Sequence, residues 1–234
     1  MRKIWRILKW WAVVVAFVVA GTAFIHGREG TTSGRAQDPS SGGVHVRWVY
    51  DGDTIMLADG RRLRYLGVNT PEIDSKYHRG QPYAFVAKRF NRKLVGKQDI
   101  RIELDGRKKD RYGRLLAYVF LPDGTLVSQQ LILKGYGYFY PVARPGKYDK
   151  RLLKAQRQAM SAKTGIWRKW REPGNGRGYI GNRRSRRFHR VDCRDGKKIS
   201  RKNRCHFDTM WDAFQAGYAP AKGCINGQLG WHTP

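Results

Sequence analysis

Between residues 44 and 121 the chain breaks into short runs of strand length with turn residues between them. Val44-His45-Val46-Arg47-Trp48-Val49 alternates apolar and polar side chains, the period-two pattern of a strand with one buried face. Runs at 55–57 and 63–68 follow, separated by the turn Ala58-Asp59-Gly60; 98–104 alternates again, and 115–121 supplies a fifth run after Tyr112-Gly113. Between the third and fourth runs, Ala84, Val86, Ala87, Phe90 and Leu94 give 82–94 a helical spacing. Two further helices are read at 126–134 and 147–163, ended by Gly135 and Gly165. Five short strands with interspersed helices predict an α+β domain built on a small closed barrel, an architecture that commonly binds oligonucleotides across one face.

Three polar clusters interrupt these runs: Asp51-Gly52-Asp53-Thr54, then Arg64 with Asn69-Thr70-Pro71-Glu72, then Asp110-Arg111-Tyr112-Gly113-Arg114. Each alone has an ordinary structural reading. Asp-Gly is a hairpin turn, Thr-Pro-Glu is a helix entry, and Tyr-Gly-Arg is a turn into a strand. Together they form the inventory for metal-assisted phosphodiester hydrolysis, which must neutralise an anion and orient a nucleophile. Asp53 and its neighbours offer hard oxygens suited to Ca²⁺ or Mg²⁺. Arg64 and Arg114 offer planar N–H forks for phosphate, and Glu72 is the candidate to hold or deprotonate the attacking water. His78, in the loop after Glu72, is assigned no role.

These clusters, in this order, with Ala155-Gln156 and Gly165-Ile166-Trp167 further on, resemble the staphylococcal nuclease (thermonuclease) family over residues 43 to 170. The resemblance implies a five-stranded OB-type barrel with three helices, Ca²⁺-dependent cleavage of DNA and RNA, and products with 3′-phosphate ends. By the same resemblance Asp53 is a metal ligand, Arg64 and Arg114 bind phosphate, Glu72 is catalytic, and the main-chain carbonyl of Thr70 touches the metal. Asn69 departs from the pattern, because the family places a second metal-binding aspartate there. An amide keeps a carbonyl oxygen but gives up a charge, so looser metal binding is expected. The aromatic stretch Tyr136-Gly137-Tyr138-Phe139-Tyr140 and Tyr112 are candidates for stacking on nucleobases, with Tyr112 the best single choice and Tyr138 and Tyr140 beside it. For the other rings the alternative is packing at the barrel's rim.

The chain ends extend this domain. Residues 1–27 begin with Arg2, Lys3, Arg6 and Lys9 and continue into an uncharged, mostly apolar run from Trp10 to Ile25. This reads either as a cleavable signal peptide or as a membrane-anchoring apolar helix, and both place the domain outside the cytoplasmic membrane, secreted, periplasmic or anchored. Residues 28–42 read as a flexible linker, 171–187 as a Gly- and Arg-rich basic linker, and 188–234 as a small Cys/His module. The formal net charge of +29 is densest in the tail. Such a field attracts polyanions without sequence preference, so DNA and RNA are the expected partners; no protein partner is expected.

All three cysteines, Cys193, Cys205 and Cys224, fall in the last segment, with His189 four residues before Cys193. The pattern resembles the metal-binding domain of the methylation-repair protein Ada, except that Ala221 stands where a cysteine would complete the ligand set. Zn²⁺ on His189, Cys193, Cys205 and Cys224, a disulfide in an exported protein, or neither are the open alternatives. Two rivals to a nuclease remain: an OB barrel that binds nucleic acid without cleaving it, and a structural protein that binds anionic envelope polymers. Asn69 is the only residue that favours the first, and the second leaves the acid–arginine set unexplained.

Overall fold

The computed structural model describes residues 43–74, 80–142, 145–173, 178–225 and 229–232. The chain divides into two units, 1–36 and 37–234, and the first lies wholly outside the described residues. So do the expected apolar helix at 1–27, the linker at 28–42 and His78. Among the described residues no helix is long and apolar enough to cross a membrane.

The second unit opens with β1 (Val46–Val49), β2 (Thr54–Leu57), β3 (Arg62–Tyr65) and β4 (Gly67–Asn69). After α1 (Ala84–Val95) come β5 (Arg101–Lys109) and β6 (Leu115–Phe120), then α2 (Val127–Leu133), β7 (Tyr138–Tyr140) and α3 (Asp149–Ser161). Five of the strands form one sheet in the order β1-β2-β3-β6-β5, with only the β3–β6 pair parallel. Its two edges meet at a single bridge, where the amides and carbonyls of Val44 and Ile100 exchange bonds of 2.8 and 2.9 Å. The expectation of a closed barrel is corrected accordingly. Pairing does not run around the full circumference, and the sheet curls until one residue pair joins its ends.

The run at 63–68 is not one strand but two. Gly67 adopts φ +76°, a conformation that favours glycine, and turns the chain out of the sheet. β3 stays with β6, whereas β4 pairs antiparallel with β7, matching Gly67 to Tyr140 and Asn69 to Tyr138. That turn lays Asn69 and Thr70 against Arg64 and Asp53 and leads the chain on to Glu72 at the cleft. Ile55, Leu57, Leu63, Ile100 and Leu131 fill the interior, with α2 laid across one end and the Ser128 hydroxyl donating to the Leu66 carbonyl at 2.8 Å.

A second sheet follows a short 3₁₀ turn at Gly165–Trp167. It contains β8 (Tyr179–Asn182), β9 (Arg187–Arg190), β10 (Arg204–Phe207) and β11 (Ala219–Pro220) in the order β10-β8-β9-β11. Helices α4 (Arg194–Lys197), α5 (Met210–Gln215) and α6 (Lys222–Ile225) complete it. Strand β8 lies inside the segment whose Gly and Arg content reads as a connector. Its Tyr179 and Ile180 are buried, and the Tyr179 ring meets the edge of Phe188 at 5.6 Å.

The second sheet shares its core with the first domain. Phe188, Met210, Ala213, Phe214 and Trp231 pack in one cluster with Tyr138, Ala159, Met160, Ile166 and Trp167, all contributed by the preceding domain. Gln156 on α3 is fully buried within this contact. Its side-chain oxygen accepts from the Phe139 amide at 2.7 Å, and its nitrogen donates to the Phe214 carbonyl at 2.6 Å. Arg157 donates to the Gln215 carbonyl at 2.9 Å, Arg187 donates to the Pro141 carbonyl at 2.9 Å, and Arg186 pairs with Asp149.

Candidate active site

Asp53 lies at the start of β2 and is 5% exposed, yet every side of its carboxylate is engaged. One oxygen accepts from the Thr54 hydroxyl at 3.1 Å. The other accepts from the Thr70 amide (2.8 Å) and hydroxyl (3.0 Å) and pairs with the Arg64 guanidinium at 3.0 Å. Arg64 extends from β3 and also donates to the carbonyls of Tyr65 (3.1 Å) and Val68 (2.9 Å) and to the side-chain oxygen of Asn69 (2.8 Å). A planar fork can hold four acceptors at fixed angles only if the backbone presents them, which the chain does by folding 65–69 around the guanidinium.

Asp51 sits beside this pair, its carboxylate accepting from the Asp53 amide at 2.9 Å. Burial first, and then the neighbouring Asp53 charge, push the Asp51 carboxyl up to about 7. Two acidic groups are thus held together against their own repulsion.

Asn69 occupies the position of the expected second aspartate and is 7% exposed. Its amide nitrogen donates to the Tyr138 hydroxyl at 3.1 Å and to the Thr70 carbonyl at 3.3 Å, while its oxygen takes the Arg64 bond. A carboxylate has no N–H to offer these two acceptors. The substitution therefore removes a charge and at the same time ties down the Thr70 carbonyl.

Glu72 follows on the same segment, fixed through its backbone. Its amide donates to the Gln81 side chain at 2.9 Å, and its carbonyl accepts from the Gln81 amide at 2.9 Å. The carboxylate is 42% exposed and has the Lys222 ammonium 3.6 Å away. Across from it Arg114 begins at the end of a tight turn in which Gly113 has φ +77°. Asp110 orients this arginine, accepting from its side-chain nitrogen at 2.7 Å and its amide at 3.0 Å. Burial opposes the charged form of Asp110, but the hydrogen bonds from Arg114 and Tyr112 outweigh it and hold the carboxyl below its ordinary value.

Asn69, Glu72, Gln81, Tyr112, Arg114 and Tyr138 line a cleft of about 830 Å³. The aromatic candidates differ within it. Tyr112 is 67% exposed, with the guanidinium of Arg111, which also donates to its hydroxyl at 2.6 Å, lying 4.8 Å from its ring and that of Arg114 5.5 Å. Tyr138 is enclosed, its ring against Phe214 (5.3 Å) and Trp231 (5.6 Å). Tyr140 is covered by the Arg187 guanidinium at 3.8 Å. Arg62 and Gln81 are cleft residues that sequence reading did not single out. Asp51 was visible in the Asp-Gly-Asp turn, but nothing in the sequence gave it a role separate from Asp53.

In the carboxy-terminal module Cys193 and Cys224 are joined as a disulfide, and the His189 ring nitrogen Nδ1 lies 3.1 Å from the Cys224 sulfur. These three form a cluster with donor atoms within 4.8 Å of one another. Cys205 does not join it. Its thiol is free and lies 3.3 Å from the Tyr218 hydroxyl. The four-residue zinc set is corrected to a trio, two of whose members are spent on the disulfide.

Comparison with known proteins bears on the same residues. The family described as "Staphylococcal nuclease homologue" matches residues 62–169. The chain is 36% identical over 161 residues to Thermonuclease of Staphylococcus hyicus, covering 66% of this chain and 93% of that protein. It is 35% identical over 160 residues to Thermonuclease of Staphylococcus intermedius, with the same coverage. It is 37% identical over 138 residues to Endonuclease YncB of Bacillus subtilis, covering 57% of this chain and 62% of that protein. The chain belongs to the staphylococcal nuclease family. As a nuclease it is a phosphodiesterase, and the cleft between Glu72 and Arg114 is where its chemistry is to be sought.

Proposed function

We propose that this nuclease is exported and hydrolyses the phosphodiester bonds of DNA and RNA with Ca²⁺, with little sequence preference and leaving 3′-phosphate ends. The observation that carries the reading is the placement of Glu72 and Arg114 on one open cleft, with the Asp53–Arg64 pair fixed behind it. Glu72 is held through its backbone, and its half-exposed carboxylate, weakly paired with Lys222, is placed to accept a proton from a water in the cleft. Arg114, aimed by Asp110, and Arg64 present fixed N–H donors to phosphate oxygens. Tyr112 offers a ring on which a base can stack beside Arg114.

The residues present fit a hard divalent cation. Asp51 and Asp53 are two hard-oxygen donors held side by side, and burial first, then the Asp53 charge, push the Asp51 carboxyl up. With the Thr70 carbonyl and the Asn69 side-chain oxygen they would hold Ca²⁺, which supplies charge neutralisation at the phosphate when bound. The Thr70 carbonyl must first give up its bond from Asn69, a cost that an aspartate at 69 would not carry. In the module the closed disulfide agrees with export, because three side chains fall one short of the four ligands usual for structural zinc. Attachment to the membrane through residues 1–27 and export itself rest on the sequence pattern of that segment.

The test is cleavage of single-stranded DNA by the full chain with Ca²⁺ and with chelator, beside Glu72→Gln. Expected are turnover that needs Ca²⁺ and a loss of roughly 10²–10⁴-fold in kcat for the variant, the range for a removed general base. Turnover that is indifferent to chelator, or a fully active variant, would overturn the assignment.

A further inference from the structure

The cleft has a wall that the nuclease domain does not supply. Opposite Glu72 and Arg114 its lining continues through Pro220, Lys222, Ile225 and Leu229, all from the carboxy-terminal module. Lys222 opens the short helix α6, and its Nζ lies 3.6 Å from a Glu72 carboxylate oxygen. We propose that Lys222 is a substrate-phosphate contact of the nuclease, paired with Glu72 in the empty cleft and transferred to a phosphate oxygen of the bound strand. The proposal rests on the nuclease reading of this cleft and deepens it. The module then becomes part of the substrate-binding surface, not a tethered accessory.

The position of Lys222 is imposed by the fold. Pro220 is fixed by the parallel pairing of β11 with β9, in which it lies opposite Phe188. The Ala221 amide donates to the Phe188 carbonyl at 2.9 Å. On the far side of α6, Ile225 is 2% exposed and packs into the cluster shared with the nuclease domain. Cys224 is bonded to Cys193. With both flanks held, the lysine is presented to the cleft that it lines.

The pairing with Glu72 is suited to exchange. The lysine side chain is 73% exposed and that of Glu72 42% exposed, so the pair is wet and weakly held. An incoming phosphate offers the ammonium an equivalent partner, and Lys serves phosphate as a mobile point charge. The exchange leaves Glu72 unpaired at the moment it must accept a proton.

The experiment measures binding of a fluorescein-labelled single-stranded dodecamer to the full-chain protein, in chelator, by anisotropy at several salt concentrations. The variants are Lys222→Ala, Lys222→Glu and Lys222→Arg, with Lys202→Glu as an exposed-lysine control on the same module, outside the cleft lining. Expected is a loss of about 3- to 10-fold for Lys222→Ala, a larger loss for Lys222→Glu, and near-complete retention for Lys222→Arg. The slope of log affinity against log salt should shrink by about 0.7, the value for one lost phosphate contact on a single strand. In turnover with Ca²⁺ the same variants should raise KM more than they lower kcat. The proposal is overturned if Lys222→Glu binds like the parent protein, or if it loses no more affinity than Lys202→Glu, which would make it only one charge among many. Because the binding arm contains no metal and no cleavage, it decides the role of Lys222 even if the parent protein and Glu72→Gln turn over alike, the outcome that would sink the nuclease mechanism instead.

Discussion

The two sheets of this protein are stabilised in opposite ways. The five-stranded sheet encloses its own apolar interior, with Ile55, Leu57, Leu63 and Ile100 packed against α2 and α3. The four-stranded sheet borrows half of its core, because Phe188, Met210 and Phe214 find their partners in Tyr138, Met160 and Trp167 of the first domain. The lesson concerns size. A segment of about fifty residues buries too little surface to stand alone and needs a staple or a host. This one has both, the Cys193–Cys224 bond and the face of α3 and β7. Since β7 pairs with β4, which carries Asn69, the module leans on the strand pair that frames the active site.

The largest test of that contrast is Phe214→Ala. A ring fully buried among Tyr138, Trp167, Trp170 and Phe188 should cost about 3–5 kcal/mol when truncated. Denaturant titration should show the loss in the whole unit. A melt confined to the module, with the nuclease domain as stable as before, would break the picture of a shared core. Next comes reduction of the disulfide, or Cys193→Ser. Cysteines 31 residues apart close a loop worth roughly 3–4 kcal/mol in the chain-entropy model, to be read as a lowered Tm. A smaller effect, about 1–3 kcal/mol, is expected for Gln156→Leu, which leaves the Phe139 amide without its partner and the Phe214 carbonyl with only the Gly217 amide. If urea midpoints do not move, the glutamine is not the joint it is taken for.

The last test belongs to the other side of the comparison and is read as a slope against pH. Asp51 is pushed up from 3.8 to about 7 in the folded protein, so between those values the fold holds a proton that the unfolded chain has lost. Its contribution to stability is full below pH about 4 and is lost as the pH climbs through about 7. In chelator, midpoints measured from pH 4 to 8 should fall across that window, and excess Ca²⁺ should flatten the slope. A slope of the opposite sign would mean that burial and the Asp53 charge do not raise the Asp51 carboxyl.

Much of the first sheet was legible because its information is local. Alternation marks β1 and β5, and the apolar spacing at 82–94, 126–134 and 147–163 corresponds to α1, α2 and α3. The split at Gly67 was not legible, because a break between two apolar halves leaves the pattern of 63–68 intact, and the partner of β4 lies some seventy residues away. For the same reason Tyr136 to Tyr140 read as a stacking surface, when Tyr138 and Phe139 belong to a buried strand. The acid and arginine residues of the cleft could be picked out by chemical type and order. The partners that set their geometry (Gln81 for Glu72, Asp110 for Arg114, Lys222 across the cleft) depend on contacts that no short window contains. Strand β8 was hidden by composition, since two buried side chains, Tyr179 and Ile180, in a run of Gly and Arg give almost no periodic signal.

The central claim is that the carboxy-terminal sheet and the nuclease domain are one cooperative body. Equilibrium unfolding of the full chain in urea, followed at once by tryptophan emission and by far-ultraviolet circular dichroism, tests it most directly. Trp167, Trp170, Trp211 and Trp231 all sit in or against the shared cluster, so their emission reports that contact, while the circular dichroism reports both sheets and all the helices. The account predicts a single transition with the same midpoint by both probes. A tryptophan transition completed at lower urea, with most of the dichroism still to be lost, would show that the module detaches from an intact nuclease domain and would contradict it.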